Sequence, residues 1–433
     1  MNKYILMLVP HEPKEDPRIS WVTDVCSQIS QVDIISSVYT SDKPLREYED
    51  KVYTERINIY GNASQPAKFL SRVGSFLVNL NITRGYTYQM QEASFSSETS
   101  DRSTKPDSNF FGELFYWLYK LFSYNVIVSA IYRRSRAISL VPSLIICHDI
   151  YALIPAIKLK KIFGCPVLYD SHEYWPQADL NSPLWENKMT EMIERHYIKQ
   201  TDAVITVSPQ LAKLLERTYS LPKVLSVPNA EPFKGFREPS SSLEVTSPLR
   251  FLLQGRVSRG RGIEELLSAW CQLNSDKAIL QLRCPQNEYL SNLCEKYKTF
   301  IQLQRIVILP AVTESELIES ASNSDIGIIP YVGPNLNHIY ACPNKLSQYM
   351  QAGLAILSSN TEFVVEVIDR YKCGLSYDPN NPSTLIRAVE SFVQDPEQLN
   401  QMKRNSYMAA KNEFNWQNQS LSYAQVVASL YSK

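Results

Sequence analysis

Short, continuous apolar runs separated by helix-length stretches recur along this chain, and that rhythm constrains its fold more than any other feature. Tyr4–Val9, Val32–Val38, Leu144–Cys147, Val167–Asp170, Ala203–Val207 and Val224–Val227 read as strands. Several are apolar throughout rather than alternating, the pattern of a parallel sheet covered on both faces. Stretches such as Ala152–Phe163 and Met189–Gln200 supply the helical crossovers that parallel strands require. Residues 228–249, PNAEPFKGFREPSSSLEVTSPL, break the rhythm with dense proline and serine. It then restarts. Phe251–Gln254, Ile279–Arg283, Ile306–Leu309, Ile326–Pro330 and Ala355–Ser358 read as strands. Ile263–Leu273, Tyr289–Phe300, Glu314–Ser322, Lys345–Ala352 and Pro382–Gln394 read as helices. Two successive βα arrays predict an α/β protein of two doubly wound, Rossmann-like domains; a single long α/β barrel is disfavoured because the linker interrupts the count.

Composition excludes some function classes. A chain of 433 residues is about the size of two or three domains. Lysine plus arginine equals aspartate plus glutamate at 44 each, so no global charge points to nucleic acid, and any anion recognition has to be local. The eight cysteines form no Cys-x-x-Cys pair, which suits buried thiols in a reducing compartment rather than zinc ligands. The run Tyr4–Val9 is too short for a signal-peptide core. No charge-free apolar stretch of roughly 20 residues occurs, so a cytoplasmic protein without a spanning helix is expected. Residues 91–108 read as a polar surface loop. Phe110–Tyr132, aromatic and followed by Arg133-Arg134-Ser135-Arg136, reads either as an amphipathic core helix or as one resting on a membrane surface.

Three constellations could carry chemistry. In LLQGRVSRGRGIEELLSAW a buried strand enters a loop with Gly255, Gly260 and Gly262, then a helix. A helix start presents unpaired N–H groups and a positive dipole end, and Arg256 and Arg261 share the loop, so a diphosphate could be held there. Arg261-Gly262 stands where a P-loop has Lys-Ser/Thr, and the spacing is not that of a dinucleotide fingerprint. An ordinary strand–helix turn with solvated arginines would look the same. In ACPNKLSQYMQAGLAILSS the turn Pro343-Asn344 feeds a second helix ended by Gly353, whose first N–H groups, on Asn344, Lys345 and Leu346, could hold another anion or sugar hydroxyls. A capped crossover helix is the alternative. In LIICHDI and VLYDSHEYWP, two strand ends place His148-Asp149 and Asp170-Ser171-His172-Glu173 on one sheet edge, where doubly wound folds bind ligands. A metal site is disfavoured because no fixed ligand spacing supports it.

In order along the chain, these segments resemble family 4 glycosyltransferases of the GT-B fold. The resemblance rests on Asp16-Pro17-Arg18, on HDIYALIPAIKLKKIFGCPVLYDSHEYWP, on TDAVITVSPQLAKLL and VLSVPNAEP, on GRVSRGRGIEELLSAW, on PNKLSQYMQAGLAILSS, and on FNWQNQSLSYAQVVASLY at the end. It implies two Rossmann-like domains facing a cleft: residues 1–235 on the acceptor side, 248–405 on the donor side, and 406–433 returning to the first domain. It implies retaining, metal-independent transfer, without cofactor, from a nucleotide-sugar to a glycan or glycolipid acceptor; peripheral contact at the inner membrane surface is the expectation that the stretch Phe110–Tyr132 adds. Arg256 and Arg261 would neutralise the diphosphate, with His172 beside the transferred sugar. Gly255, Asn344, Lys345 and Leu346 would hold the donor, and Leu309 and Ala311, within Ile308–Val312, would border the base. Asp16, Arg18, His148, Asp149 and Glu173 would lie on the acceptor side. At positions 340 and 348, where members carry glutamates, this chain has Tyr340 and Gln348. Gln348 could accept a ribose hydrogen bond through its carbonyl without bringing charge. A non-catalytic subunit that binds a partner enzyme is the alternative, and an epimerase or phosphorylase on the same scaffold is a third reading.

Overall fold

The computed structural model describes residues 3–38, 44–59, 124–179, 182–235, 247–333 and 335–433. The first half builds β1 (Tyr4–Val9), β2 (Gln31–Val38), β3 (Arg46–Glu49), β4 (Val52–Asn58), β5 (Leu144–His148), β6 (Val167–Ser171), β7 (Ala203–Thr206) and β8 (Leu225–Ser226). They form one sheet in the order β3-β4-β2-β1-β5-β6-β7-β8, parallel except for the β3–β4 pair. The second half builds β9 (Leu249–Gln254), β10 (Ala278–Arg283), β11 (Ile306–Leu309), β12 (Ile326–Ile329), β13 (Ala355–Ser358) and β14 (Gly374–Ser376). Their order is β11-β10-β9-β12-β13-β14, parallel throughout.

Strand β1 shows why the apolar runs pair this way. All six of its residues are buried, because helices cover both faces of the sheet. On one face Ile5, Met7 and Val9 pack with Ile19 and Val22 of the helix Pro17–Ile29 and with Trp416, Tyr423 and Val427 of the last helix. Trp416 closes this contact by donating its indole N–H to the Trp21 carbonyl at 3.1 Å. On the other face Leu6 and Leu8 join an apolar cluster that continues across the domain junction to Leu346, Tyr349 and Phe414.

Several elements differ from the sequence reading. The antiparallel pair β3–β4 was not anticipated, because REYE and VYTERIN carry charges at positions a buried strand would fill with apolar residues. The fold accommodates them by pairing. Arg56 of β4, 2% exposed, donates to Glu12 and Glu47. The stretch Tyr289–Phe300 is not one helix but two, Glu288–Lys296 and Lys298–Gln302, interrupted at Tyr297. The stretch Glu314–Ser322 starts with a 3-10 turn at Glu314–Glu316, capped by Thr313, before the helix Leu317–Ala321. The chain returns to the first domain at Trp416 rather than at 406, because Pro396–Asn412 is one continuous helix and Asn415 caps the next, Trp416–Tyr431, through Asn418 N. The loop at 91–108 and most of Phe110–Tyr132 lie outside the described residues; from Tyr124 to Arg136 the chain is helical. Among the described residues, no helix is long and apolar enough to cross a membrane.

Candidate functional site

In an open parallel sheet, the crevice lies where neighbouring strands leave in opposite directions. In the first sheet that point is between β1 and β5. The turn after β1 carries Asp16, which caps the helix Pro17–Ile29 by accepting the Arg18 N–H at 2.9 Å. His148 ends β5, with Asp149 next in the chain; β6 is followed by His172 and Glu173. Arg18, 1% exposed, forms a two-pronged pair with Asp170 at 3.1 and 2.9 Å. Its remaining prong donates to the Val227 carbonyl and Asn229 Oδ1, tying the segment between the domains to this edge. Arg18 is thus part of the site's scaffold, locked away from any ligand. Burial alone would push the Asp170 carboxyl up, but Arg18, His172 and His148 hold it well below the usual carboxylate range.

His172 lies among carboxylates. Its Nδ1 is 3.1 Å from Asp16 and 3.8 Å from Asp149, and its Nε2 is 3.7 Å from Asp170. Burial opposes its charge, yet Asp149, Asp16 and Asp170 raise its pKa well above the ordinary value, which favours the protonated ring. Its Nε2 also lies within hydrogen-bond distance of His148 Nδ1, at 3.2 Å. His148, fully buried, is pushed down to about 3 and stays neutral; its own Nε2 is buried with no hydrogen-bond partner. With Nδ1 facing Asp16 and Nε2 facing His148, both ring nitrogens of His172 are engaged within the protein. Asp149 sits at φ 63°, a left-handed conformation uncommon outside glycine, and accepts the His172 backbone N–H at 3.2 Å. Burial raises its carboxyl.

In the second sheet the strand order reverses between β9 and β12. Gly255, at φ 103°, turns the chain off β9 into the loop bearing Arg256 and Arg261. Gly262, at φ 80°, presses against β12's exit so closely that a β-carbon would collide with the Pro330 carbonyl. The helix Asn344–Gln351 begins beside it without a side-chain cap. Arg256 is exposed and Arg261 half-buried. Neither forms an ion pair or hydrogen bond with the described residues. The helix mouth differs from the sequence reading in one respect: Leu346 N–H donates to the Pro343 carbonyl at 3.0 Å, and the Leu346 side chain is core. The N–H groups of Asn344 and Lys345 remain available, and Asn344 Oδ1 is buried without a partner. Leu309 ends the outer strand β11, paired in register with Arg283, and Ala311 is exposed just beyond.

Gln348 also departs from expectation. Its carbonyl oxygen accepts from Gln254 Nε2 at 3.3 Å, while its amide nitrogen donates to Glu231 Oε1 at 2.8 Å. Glu231 and Gln254 were not picked out from the sequence. Glu231 stands in the proline-rich linker, and only the fold brings it to a helix 117 positions away. Tyr340 contributes its backbone carbonyl, which accepts from Ser208 Oγ, and its ring packs on the shared core.

The two edges face each other. Glu173 on the first domain is raised to about 7 by burial and by Asp149, and Arg261 on the second opposes that rise. His338 is lowered to about 4 by burial and by the same Arg261. Adjacent contacts bridge the domains. Tyr174 N donates to Asn337 Oδ1 at 2.8 Å, Leu336 N to Gln177 Oε1 at 2.7 Å, and Asn335 Nδ2 to the Gln177 carbonyl at 2.8 Å. Lys345 Nζ lies 5.6 Å over the Tyr331 ring. The one group with metal-ligand geometry among the described residues is His148, Asp170 and His172, whose ligand atoms lie within 4.8 Å of one another. It is poorly suited to a cation. Both Asp170 oxygens bind Arg18, and an incoming metal would meet a guanidinium and an imidazolium.

Two family descriptions match the chain in tandem. Residues 94–230 match Glycosyltransferase Family 4, and residues 237–408 match Glycosyl transferases group 1. The chain belongs to the family 4 glycosyltransferases. Glycogen synthase of Mycobacterium tuberculosis is 20% identical to this glycosyltransferase over 299 residues, 66% of the chain and 68% of the relative. The fold is GT-B. Sucrose-phosphate synthase from Thermosynechococcus elongatus superposes with a TM-score of 0.69 at 16% identity, covering 100% of each chain. The HepE protein of Anabaena in complex with UDP superposes at 0.61 with 12% identity, covering 99% and 100%. In this glycosyltransferase the crevices of both sheets therefore open toward one another across the cleft that defines the fold.

Proposed function

We propose that this glycosyltransferase takes its sugar from a nucleotide-sugar, retains the anomeric configuration, works without a divalent metal, and delivers the sugar to a glycan or lipid-linked acceptor. The observation that carries this reading is the pair Arg256 and Arg261, free of ion pairs among the described residues, in the loop at the switch point of the second sheet; its Gly262 lies against Pro330, next in the chain to the Tyr331 ring beneath Lys345 of the uncapped helix start. Two guanidinium groups and two backbone N–H groups suit a diphosphate, and they do the work a metal performs elsewhere. HepE in complex with UDP and the Escherichia coli trehalose-6-phosphate protein bound with UDP-2-fluoro glucose make uridine the first base to test.

In the transfer step, the bond between the sugar's anomeric carbon and the diphosphate oxygen breaks as the acceptor oxygen attacks from the same face. The acceptor's proton passes to the departing diphosphate oxygen. The engagement of both His172 nitrogens by Asp16 and His148 favours this route over a histidine base. The imidazolium contributes a fixed positive field in a cleft from which a bound donor displaces water. A lipid-linked acceptor would bring the protein to the inner membrane surface.

Isothermal calorimetry with UDP-, GDP- and ADP-sugars, followed by NMR of the product's anomeric configuration, tests the proposal. Donor binding and a retained configuration support it. An inverted product overturns the mechanism, and failure to bind any of the nucleotides overturns the donor assignment.

A further inference from the structure

A buried carboxylate stands on the segment joining the two domains, and the donor site as described makes no use of it. Glu231 is 4% exposed. Its backbone fastens the linker to the donor helix: its N–H donates to Ser347 Oγ at 2.6 Å and its carbonyl accepts from Gln351 Nε2 at 3.0 Å. Those bonds need no acidic side chain. Its carboxylate turns toward the strand end instead, where Oε1 accepts from Gln348 Nε2. Oε2 takes no hydrogen bond from the described residues. Burial, together with the nearby Glu314, holds the carboxyl above its ordinary range, offset by Gln348 and Lys234. A group so costly to bury calls for a hydrogen-bond donor that completes it.

The surroundings indicate the ligand. Gln348 holds Glu231 and is itself held by Gln254, the last residue of β9 before the phosphate-loop glycine. Arg283 donates from Nη1 to Gln254 Oε1 at 3.4 Å, and its own Nε is buried without a partner. Arg283 pairs in register with Leu309 on the outer strand. Gln348 lies one helical turn beyond Asn344, about 6 Å along the axis. The row therefore runs from the helix mouth, past the carboxylate, to the outer strand. A nucleoside diphosphate has the same sequence of parts, with a vicinal diol between phosphate and base. A carboxylate only accepts hydrogen bonds, and the two ribose hydroxyls are the paired donors a nucleotide presents at that distance.

Resting on the nucleotide-sugar reading above, we propose that Glu231 binds the ribose diol of the donor, with Gln348 as the positioning residue that aims its carboxylate. The donor site is then not confined to the C-terminal domain; the interdomain linker completes it. Nucleotide binding would consequently fix the linker, which Arg18 also holds through Val227 and Asn229.

The test compares wild type with Glu231→Gln, which keeps the shape and the backbone bonds. The probes are whichever of UDP, GDP and ADP binds most tightly, and its 2′,3′-dideoxy analogue, measured by calorimetry. Glu231→Gln is expected to weaken the ribonucleotide by about 10- to 100-fold, the loss of a charge-assisted contact, and the dideoxy analogue by less than about threefold. The double variant Glu231→Gln with Gln348→Glu, which returns a carboxylate to the same place from the helix side, is expected to recover much of the loss. Equal weakening of both probes, or of neither, overturns the proposal while leaving the nucleotide-sugar reading intact. No binding of any of these nucleotides by wild type overturns that reading and this inference with it.

Discussion

Replacing Arg261 with alanine separates a ligand-binding role from a structural one. The side chain is half-buried and makes no hydrogen bond or ion pair with the described residues, so its removal strands no protein group. Its neighbours include Glu173 across the cleft and His338 on its own domain. A charge-assisted hydrogen bond to phosphate in such a place is worth about 1.5–3 kcal/mol. Arg261→Ala should therefore lower kcat/KM for the donor by roughly 10- to 150-fold. Arg256 is exposed, and water screens its contribution; Arg256→Ala should cost only about 1 kcal/mol, near fivefold. Melting temperatures should stay within about 2 °C of wild type for both, as for surface substitutions generally. The pH profile adds a signature. Glu173 sits near 7 with Arg261 opposing the rise. Without Arg261 its pKa moves further up, so any limb it produces shifts to higher pH. Steady-state kinetics across pH with the donor found by calorimetry reads all of this. Unchanged kcat/KM in Arg261→Ala, or a large loss of thermal stability accompanying any loss of activity, would refute the assignment.

Gly262→Ala should destabilise the protein by about 2–4 kcal/mol and abolish donor binding, because the added β-carbon meets the Pro330 carbonyl at a positive φ; thermal melting and calorimetry check it. Glu194, buried and accepting from the Tyr169 and Tyr219 hydroxyls, is raised by burial to about 7. The folded state disfavours its ionised form, so its contribution to stability is greatest below about pH 4.5 and declines as pH rises through 7, by up to about 3 kcal/mol. Glu194→Gln should flatten that part of the melting-temperature profile; a slope identical to wild type contradicts the argument. Turnover should survive exhaustive chelation of divalent cations, and a loss restored by magnesium or manganese would contradict the metal-independent reading.

Local patterns carried much of the architecture. Buried parallel strands have to be apolar on both faces, so β1, β5, β6, β9 and β12 announce themselves as short continuous runs, and Gly255 and Gly262 mark turns that a residue with a side chain would strain or block. The same pattern placed His172, Arg256 and Arg261 at strand and helix ends, because residues next to a strand–helix turn keep their place in sequence and in space together. Where charge interrupts the apolar signal, as in β3 and β4, the strands went unread, because the partners that make Arg56 tolerable come from Glu12 and Glu47.

Tertiary structure decided what these groups can do. Arg18 and Asp170 are 152 positions apart, and their pairing turns a candidate acceptor-side arginine into buried scaffold. His172 has both ring nitrogens engaged because three turns converge there, bringing Asp16 from after β1 and His148 and Asp149 from the end of β5 to Asp170 and His172 at the end of β6. Glu231 reached Gln348 only because the linker packs along the helix Asn344–Gln351, bonded to Ser347 and Gln351. Hydrophobic periodicity is written residue by residue, so sequence alone exposes it. Protonation state and hydrogen-bond partnership depend on distances of a few ångströms between remote segments, and only the folded chain sets those distances.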